Sequence, residues 1–279
     1  MSGLRGGLDL VATRDGLGRT MLSRQAFSPP IHISKPHHDR GWLVVNLASP
    51  SPGLLEGDRV DVRVEVKSGA RLLLTAPSAN RIHATPSGYA ELTQRFSVED
   101  GGFLDVWPEY LIPQAGARYR QRTEIRIVNG GTLLWTESIA PGRTARGEVF
   151  AYDEVKLSTD LWVGEAHAIR ERYRLDANTV KALRGRFPNA YYASLIAVGD
   201  GLADRTDAIR AITEDHSNSE CWVGATRVAT NVWAVKVLAA DSPTLRATVA
   251  NVRAIVCKTL GYQAANLRRT TGGVAALAS

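Results

Sequence analysis

Two adjacent histidines followed by an aspartate, at His37, His38 and Asp39, form the densest group of metal-ligating side chains in this chain. Imidazole and carboxylate groups bind transition metals, so this cluster is a candidate for contact with such an ion. On a β-strand, however, neighbouring side chains point to opposite faces and rarely chelate one ion. A metal contact and a structural or solvated role are therefore both open for this cluster.

Three carboxylates stand beside turn residues or apolar runs, where the surroundings decide their chemistry. Asp58 and Glu148 each follow a glycine, and Glu109 follows a Trp-Pro pair. A turn aspartate commonly bonds its own backbone, which is the structural alternative for Asp58. A glutamate beside apolar residues either pairs with an arginine or lines a wet cavity, and both alternatives are open for Glu109.

Three arginines alternate with other residues at Arg118, Arg120 and Arg122. On a strand, residues two apart lie on the same face, so these side chains are expected to share one face. Guanidinium groups gathered in this way favour an acidic partner or internal carboxylates. A plain solvated face is the alternative.

Motifs of the common enzyme classes are absent from the sequence. It contains no G-x-S-x-G, H-E-x-x-H, Walker A or G-x-G-x-x-G pattern. A hydrolase that uses Asp58 and His83 is one competing hypothesis, but it lacks a recognisable nucleophile–base pair. The six tryptophans and the positive charge suggest a carbohydrate- or nucleic-acid-binding module as another. Most of the tryptophans lie in apolar, strand-like runs, which favours core positions.

Composition limits the class of protein. The chain has 279 residues, of which 44% are hydrophobic, enough for one large core or at most two domains. Its net charge of +6 comes mostly from arginines scattered through the sequence, with no block typical of a nucleic-acid-binding tail. Two lone cysteines, no signal-peptide pattern and no run of 18 apolar residues predict a cytoplasmic protein without disulfides or a membrane partner.

The first part of the chain has the alternation of half-buried strands, most clearly over residues 60–67. A strand, a small-residue turn and another strand recur around Ala70, Gly102 and Gly131, which are 32 and 29 residues apart. Glycine fits such turns because hairpins need a positive φ. The repeat predicts a mainly β fold, an elongated stack of antiparallel or mixed sheets with solenoid-like units. A simple antiparallel meander is the alternative.

A different composition begins after residue 175, with alternating helical and strand-like segments. The spacing of apolar residues predicts a helix over 244–260, near the end of the chain. We therefore expect a single domain over 1–279, β-rich over 1–175 and mixed over 176–270, with a frayed tail over 271–279.

Five short segments together resemble one family. They are Gly18-Arg19-Thr20, residues 51–59, Ser68-Gly69-Ala70 with Leu74-Thr75, Pro108-Glu109 with residues 115–123, and Pro141-Gly142-Arg143 with Gly147-Glu148. Their order and spacing over residues 15–175 resemble the urease accessory proteins of the D or H type. Departures include Pro52-Gly53, where the family has a further glycine, and Pro108-Glu109-Tyr110 in place of Pro-Gln-Glu. The resemblance is therefore to a divergent branch.

The resemblance implies a mainly β maturation scaffold for urease, a chaperone of nitrogen metabolism, and not an enzyme. Such a protein is expected to bind apo-urease and a helical accessory protein that recruits a nickel-loaded GTPase. Nickel would pass through an internal, water-filled tunnel without a tightly bound cofactor. Asp58, Glu109 and Glu148 are the candidates to line that path, since oxygen ligands hold a passing divalent ion weakly. A wet path would keep Asp58 and Glu148 ionised without a fixed counter-ion. The arginines at positions 118, 120 and 122 are the candidates for partner binding.

Overall fold

Two mixed β-sheets packed face to face form the frame of the protein, in a computed structural model that describes residues 3–49, 51–203 and 205–265. The strands of sheet 1, in chain order, are β1 (Arg5–Arg14), β2 (Thr20–Ser28), β6 (Arg59–Val66), β9 (Ala90–Val98), β12 (Arg118–Ile127), β14 (Glu154–Val163) and β15 (Ala166–Leu175). Their spatial order is β15-β14-β12-β9-β6-β1-β2. The strands from β14 to β1 pair in parallel, and both edge strands are antiparallel to their neighbours.

Sheet 2 contains the remaining strands of the described residues. They are β3 (His32–Ile33), β4 (His37–Asp39), β5 (Trp42–Ala48), β7 (Arg71–Ala76), β8 (Asn80–Ile82), β10 (Phe103–Pro108), β11 (Leu111–Pro113), β13 (Thr132–Ile139), β16 (Tyr191–Val198), β17 (Cys221–Ala229) and β18 (Val232–Ala239). Its main order is β17-β18-β16-β13-β10-β7-β5-β3. The strands from β5 to β13 are parallel, and β16, β18 and β17 continue the sheet antiparallel.

Successive coils of the chain stack in parallel. The chain runs from β6 to β7, then from β9 to β10 and from β12 to β13, so each coil has one strand in each sheet. Phe103 pairs with Arg71 in the preceding coil and with Thr132 in the following coil. The predicted mainly β, solenoid-like fold is confirmed, and the meander alternative is wrong because neighbouring coils pair in parallel.

The predicted turns have a different role from the one expected. They connect strands of opposite sheets and are therefore not hairpins. The residue with positive φ precedes each small residue of the repeat, at Gly69 (φ 70°), Gly101 (φ 66°) and Gly130 (φ 83°). A glycine is needed there because side chains disfavour this left-handed backbone conformation.

Burial explains the difference between the two sheets. Sheet 1 covers the core with one face and leaves the other solvated, so its strands alternate between apolar and polar residues. The central strands of sheet 2 are buried on both faces. Leu72 and Leu104 face sheet 1, whereas Leu73 and Phe103 face a second core beneath the helices.

Three α-helices occur in the described residues: α1 (Val180–Arg186), α2 (Thr206–Glu214) and α3 (Ser242–Thr259). None of them is long and apolar enough to span a membrane. Helix α3 confirms the predicted C-terminal helix, with Asp241 as its N-cap accepting a 2.8 Å hydrogen bond from the Thr244 amide. It packs an apolar stripe that includes Leu245 and Val252 onto sheet 2.

The pairing of β13 with β16 joins the two predicted regions, 1–175 and 176–270, within one sheet. We therefore propose that the chain forms a single domain, as the sequence predicts. The predicted frayed tail, 271–279, lies outside the described residues.

A buried ion pair fastens α3 to sheet 2. Nη2 of Arg253 lies 2.5 Å and 2.7 Å from the two carboxylate oxygens of Asp105 on β10, and Nη1 donates a 2.6 Å hydrogen bond to Thr136. The guanidinium carbon is 4.1 Å from the centre of the Trp107 ring. Both charged side chains are at most 4% exposed. Such a pair offsets the desolvation of its charges only when both partners are present.

We expect Arg253→Ala to lower the free energy of unfolding by about 3–5 kcal/mol, because it leaves the Asp105 carboxylate buried without its counter-ion. The double variant Asp105→Leu with Arg253→Met should lose clearly less, since no unpaired charge remains. Urea-induced unfolding at neutral pH measures both. Equal losses in the two variants would contradict a dominant role for the unpaired charge.

Candidate functional site

A row of polar residues crosses the inner face of sheet 2, where the alternation calls for apolar side chains. On β13, Leu133, Trp135 and Ile139 point into the core between the sheets, and Glu137 occupies the same side of the strand. The backbone register places Glu137 beside Ser194 of β16. Lys236 of β18 lies beside Ser194, so the three residues form one line across three strands.

Sheet 1 carries a matching row on its own inner face. Gln94 of β9, Thr123 of β12, Thr159 of β14 and Glu171 of β15 are paired one beside the next in the register. These two rows, together with Gln121 on β12, are called the polar layer below. It divides a core that is otherwise apolar.

Direct contacts link the two sides of the polar layer. The Gln121 amide donates a short hydrogen bond to the Glu137 carboxyl, and Tyr119 donates a 2.9 Å hydrogen bond to the Gln121 carbonyl oxygen. At the other end, the Lys236 ammonium contacts Glu171 of sheet 1 and donates a 2.6 Å hydrogen bond to Ser194. Polar partners thus connect the sheets at both ends of the layer.

Two tyrosines complete the end near Glu171. The Tyr173 hydroxyl donates a 3.2 Å hydrogen bond to the Glu171 carboxylate and accepts one of 2.6 Å from Tyr192. Burial raises the pKa of the Tyr192 hydroxyl strongly, and the neighbouring Tyr173 raises it further. Tyr192 therefore acts as a neutral donor at ordinary pH.

A cavity of about 180 Å³ between the sheets adjoins the polar layer. Its apolar wall includes Leu74 and Trp135, and its polar lining includes Gln94, Gln121 and Glu137. The Glu137 side chain keeps part of its surface exposed because it faces this cavity. A polar cavity of this size has room for water or a small ion.

Burial raises the pKa of Glu137 from 4.5 to about 7. The hydrogen bond from Gln121 opposes this rise, nearby Glu171 adds to it, and Lys236 opposes it. The amide of Gln121 supplies no positive charge, so the carboxyl lacks a direct counter-ion. Glu137 thus exchanges its proton near neutral pH, which is the behaviour of a group that a bound cation can ionise.

Asp58 bonds the backbone, including that of its own loop, which is the structural alternative given for it above. This side chain is 3% exposed, and its two oxygens each accept a 2.8 Å hydrogen bond, from the backbone amides of Leu4 and Leu55. His83 lies 3.2 Å from the backbone oxygen of Pro52. Asp58 and His83 thus bond the backbone, and no hydrogen bond or ion pair joins them to each other in the described structure.

The other two predicted carboxylates have arginine partners. Arg246 of α3 holds Glu109 with hydrogen bonds of 2.6 Å and 2.8 Å, and Glu109 also lines the cavity, so both alternatives for this residue are realised. Glu148 accepts a 2.7 Å hydrogen bond from Nε of Arg143, and this contact lowers the pKa of its carboxyl. The expectation of a carboxylate without a fixed counter-ion is therefore wrong for Glu148.

The predicted metal-ligating residues do not converge on one point. Within the described ranges, no group of three or more histidine, cysteine, aspartate or glutamate side chains is placed to hold a metal ion. His37, His38 and Asp39 form β4, which pairs with β5, and the His38 ring lies 2.8 Å from the Thr20 carbonyl oxygen. These contacts favour the structural interpretation of the histidine cluster.

The three arginines of β12 lie together on the solvated face of sheet 1, as their alternation predicts. Arg118 pairs with Asp153 at 3.3 Å, and Arg120 stacks 3.4 Å from the centre of the Tyr89 ring. The Arg122 side chain has neither a hydrogen bond nor an ion pair with any described residue. The three arginines thus do not meet internal carboxylates of the core, and the Arg122 side chain has no charged partner of its own among the described residues.

The polar layer was missed in the sequence, although one signal for it was present. Glu137 continues the inward alternation of Leu133 and Trp135, and Gln121 lies between the inward-facing Tyr119 and Thr123. A polar residue at such a position of a buried strand indicates an internal site. Alternation alone does not show that the two rows face each other across the core.

Comparison with known proteins identifies the same family that the five sequence segments resemble. The family model of the UreD urease accessory protein matches residues 4–271. The chain is 32% identical over 269 residues to the urease accessory protein UreD of Opitutus terrae, covering 95% of this chain and 98% of the relative. It is 27% identical over 231 residues to the urease accessory protein UreH of Helicobacter pylori, covering 82% and 86%. The matched residues span every helix and strand described above.

The raised pKa of Glu137 predicts a pH-dependent contribution to stability. The folded protein keeps this proton up to about pH 7, whereas the unfolded chain loses it near pH 4.5. The contribution is therefore fully present below pH 4.5 and falls as pH rises to about 7, by at most about 1.4 kcal/mol per pH unit. Relative to Glu137→Gln, the wild type should lose unfolding free energy over this range, as measured in urea.

Glu165→Gln, on the exposed turn between β14 and β15, is the matched control and should keep the wild-type pH profile. A constant difference between wild type and Glu137→Gln across the range would show that the folded protein does not hold the Glu137 proton.

Proposed function

We propose, from the premise that the chain belongs to the UreD urease accessory protein family, that it is a scaffold that passes nickel to apo-urease through its polar layer. Family membership makes it an accessory protein of urease. The proposal adds the cargo, the route and the partners: apo-urease on one side and, on the other, a helical accessory protein with its nickel-loaded GTPase. The polar layer, with Glu137 beside the cavity, is the observation that carries the proposal.

A divalent ion crosses a protein only where oxygen ligands replace the water that it loses. The apolar core between the sheets would repel a bare ion, because the desolvation of a charge is costly. The polar layer supplies carboxyl, amide and hydroxyl oxygens from Glu137, Gln121 and Ser194 along one line. Binding of nickel at Glu137 would displace the proton that this carboxyl holds near neutral pH.

Release is as necessary as binding on such a route. In the proposal, Lys236 beside Glu171 weakens the hold on a second positive charge, so the ion is not trapped at this end of the layer. Nickel is accordingly treated as cargo in transit.

Glu109 is the sequence-predicted carboxylate that best fits this route, since it lines the cavity that adjoins Glu137. In the proposal, the Glu109 carboxylate leaves Arg246 and provides the first oxygen ligands to the ion. Asp58 and Glu148 are not among the lining residues of this cavity, and they bond backbone amides and Arg143, so we assign them to loop structure.

The test is co-expression of this chain and its variants with urease and the other accessory proteins. Glu137→Gln keeps the shape of the side chain and a hydrogen-bonding group toward Gln121, but cannot become a carboxylate. We expect normal co-purification of the complex with several-fold less nickel in the purified urease, measured by metal analysis. Glu165→Gln should give normal values for both.

Normal nickel together with normal assembly in Glu137→Gln would reject the route through the polar layer. Joint loss of assembly and nickel would instead assign Glu137 to folding or docking, and would equally count against the proposal.

The double variant Asp58→Ala with Glu148→Ala tests the assignment of these two carboxylates. We expect co-purification and nickel content to fall together, because the variant removes the backbone hydrogen bonds of Asp58 and the arginine contact of Glu148. Intact assembly with low nickel would return both residues to the ion route. The yield of folded chain, measured in parallel, identifies simple misfolding.

A further inference from the structure

The solvated face of sheet 1 collects positive charge that the sequence distributes over more than a hundred residues. On β6, β9, β12, β14 and β15, its outward positions are the odd-numbered residues of 59–65 and 91–97 and the even-numbered residues of 118–126, 154–162 and 170–174. Eleven of these are arginine or lysine, and six are aspartate or glutamate. The excess of five positive charges compares with +6 for the whole chain. These positions are called the basic face.

The carboxylates of the basic face are shared among several cations. Asp160 contacts both Arg170, at 3.3 Å, and Arg172, at 2.7 Å. Glu154 contacts Lys156 at 2.9 Å and also accepts from an arginine of β15. Because one carboxylate serves two cations, the face keeps unsatisfied positive charge and hydrogen-bond donors.

Arg122 lies at the centre of this charge. The register places it between Thr93 and Ser158, neither of which carries a charge. Its guanidinium group has no ion pair or hydrogen bond among the described residues. An open groove of about 540 Å³ surrounds it, lined also by Arg120, Lys156 and other long side chains. A guanidinium so placed can bind a carboxylate in the two-pronged manner without first breaking an internal contact.

We propose that the basic face docks an acidic protein surface, with Arg122 as its anchor. This inference rests on the proposed scaffold function, which requires partner surfaces. Interleaved carboxylates such as Glu91 and Asp160 would repel the continuous phosphates of a nucleic acid, whereas a protein surface can match alternating signs. The charge complementarity therefore favours a folded protein partner over a polynucleotide.

A surface of this kind determines how binding responds to salt. Large exposed apolar side chains of the described residues lie at other positions, including Leu17 and Trp222, and none lies on the basic face. Recognition therefore depends mainly on charge, which salt screens over a distance of about 10 Å. Association should be fast at low salt and should weaken as salt is added.

The experiment uses the purified full chain, apo-urease and the helical accessory protein, with affinities measured by calorimetry at low and moderate salt. Arg122→Glu should weaken binding of one partner at least about tenfold at low salt, and less at moderate salt. Arg122→Lys should retain a substantial part of the affinity. The matched control is Arg184→Glu on α1, an exposed position outside the basic face with the same change in charge.

Equal affinities of Arg122→Glu and Arg184→Glu for both partners would overturn the inference. Loss of RNA binding in Arg122→Glu with unchanged protein binding would also overturn it, by assigning the face to a nucleic acid. The outcome is separable from the nickel route, because affinity is measured without nickel, and Glu137→Gln is judged by nickel content in an assembled complex.

Discussion

Parallel backbone pairing between successive coils is the constraint on which the remaining structure depends. It places residues 32 and 29 positions apart side by side, as in the line from Arg71 through Phe103 to Thr132. Because the side-chain direction alternates along each strand, a residue type that recurs in every coil builds a continuous surface. The apolar core, most of the basic face and the sheet 1 row of the polar layer follow from this alignment. Antiparallel pairing of β13, β16 and β18 forms the row of the polar layer on sheet 2. A shift of one residue in register would turn the affected side chains to the opposite face.

Two buried carboxyl groups have opposite electrostatic environments in this fold. Asp105 receives two hydrogen bonds from Arg253 and belongs to a closed ion pair that ties a helix to sheet 2. Glu137 receives only an amide and faces a cavity, so its proton is exchangeable near neutral pH. The first arrangement holds one geometry, whereas the second can accept a different partner. Only the second has the adaptability that a route for an ion requires.

Local patterns in the sequence were sufficient for strand β6, the repeat, helix α3 and the family. Alternation over 60–67 and the glycine-turn copies report on one coil at a time, and both correspond to observed elements. Contacts between coils and across the core were not predictable in this way. The partner of Glu109 is 137 residues away, and Glu137 meets Gln121 across the two sheets. The positive charge is scattered in the sequence for the same reason. Only the register of five strands brings these side chains together on one face. Among the site residues, only the shared face of the three arginines followed from local periodicity.

The antiparallel strands at the two edges of sheet 1 also affect the length of the structure. A stack of parallel coils has no intrinsic end, since each outer strand offers its backbone to a further coil or to another molecule. Here β2 folds back against β1, and β15 folds back against β14. The outer strand β15 also carries the alternating charges Arg170, Glu171, Arg172 and Arg174. These two strands terminate the array, so the number of coils is finite and end-to-end polymerisation into fibres is disfavoured.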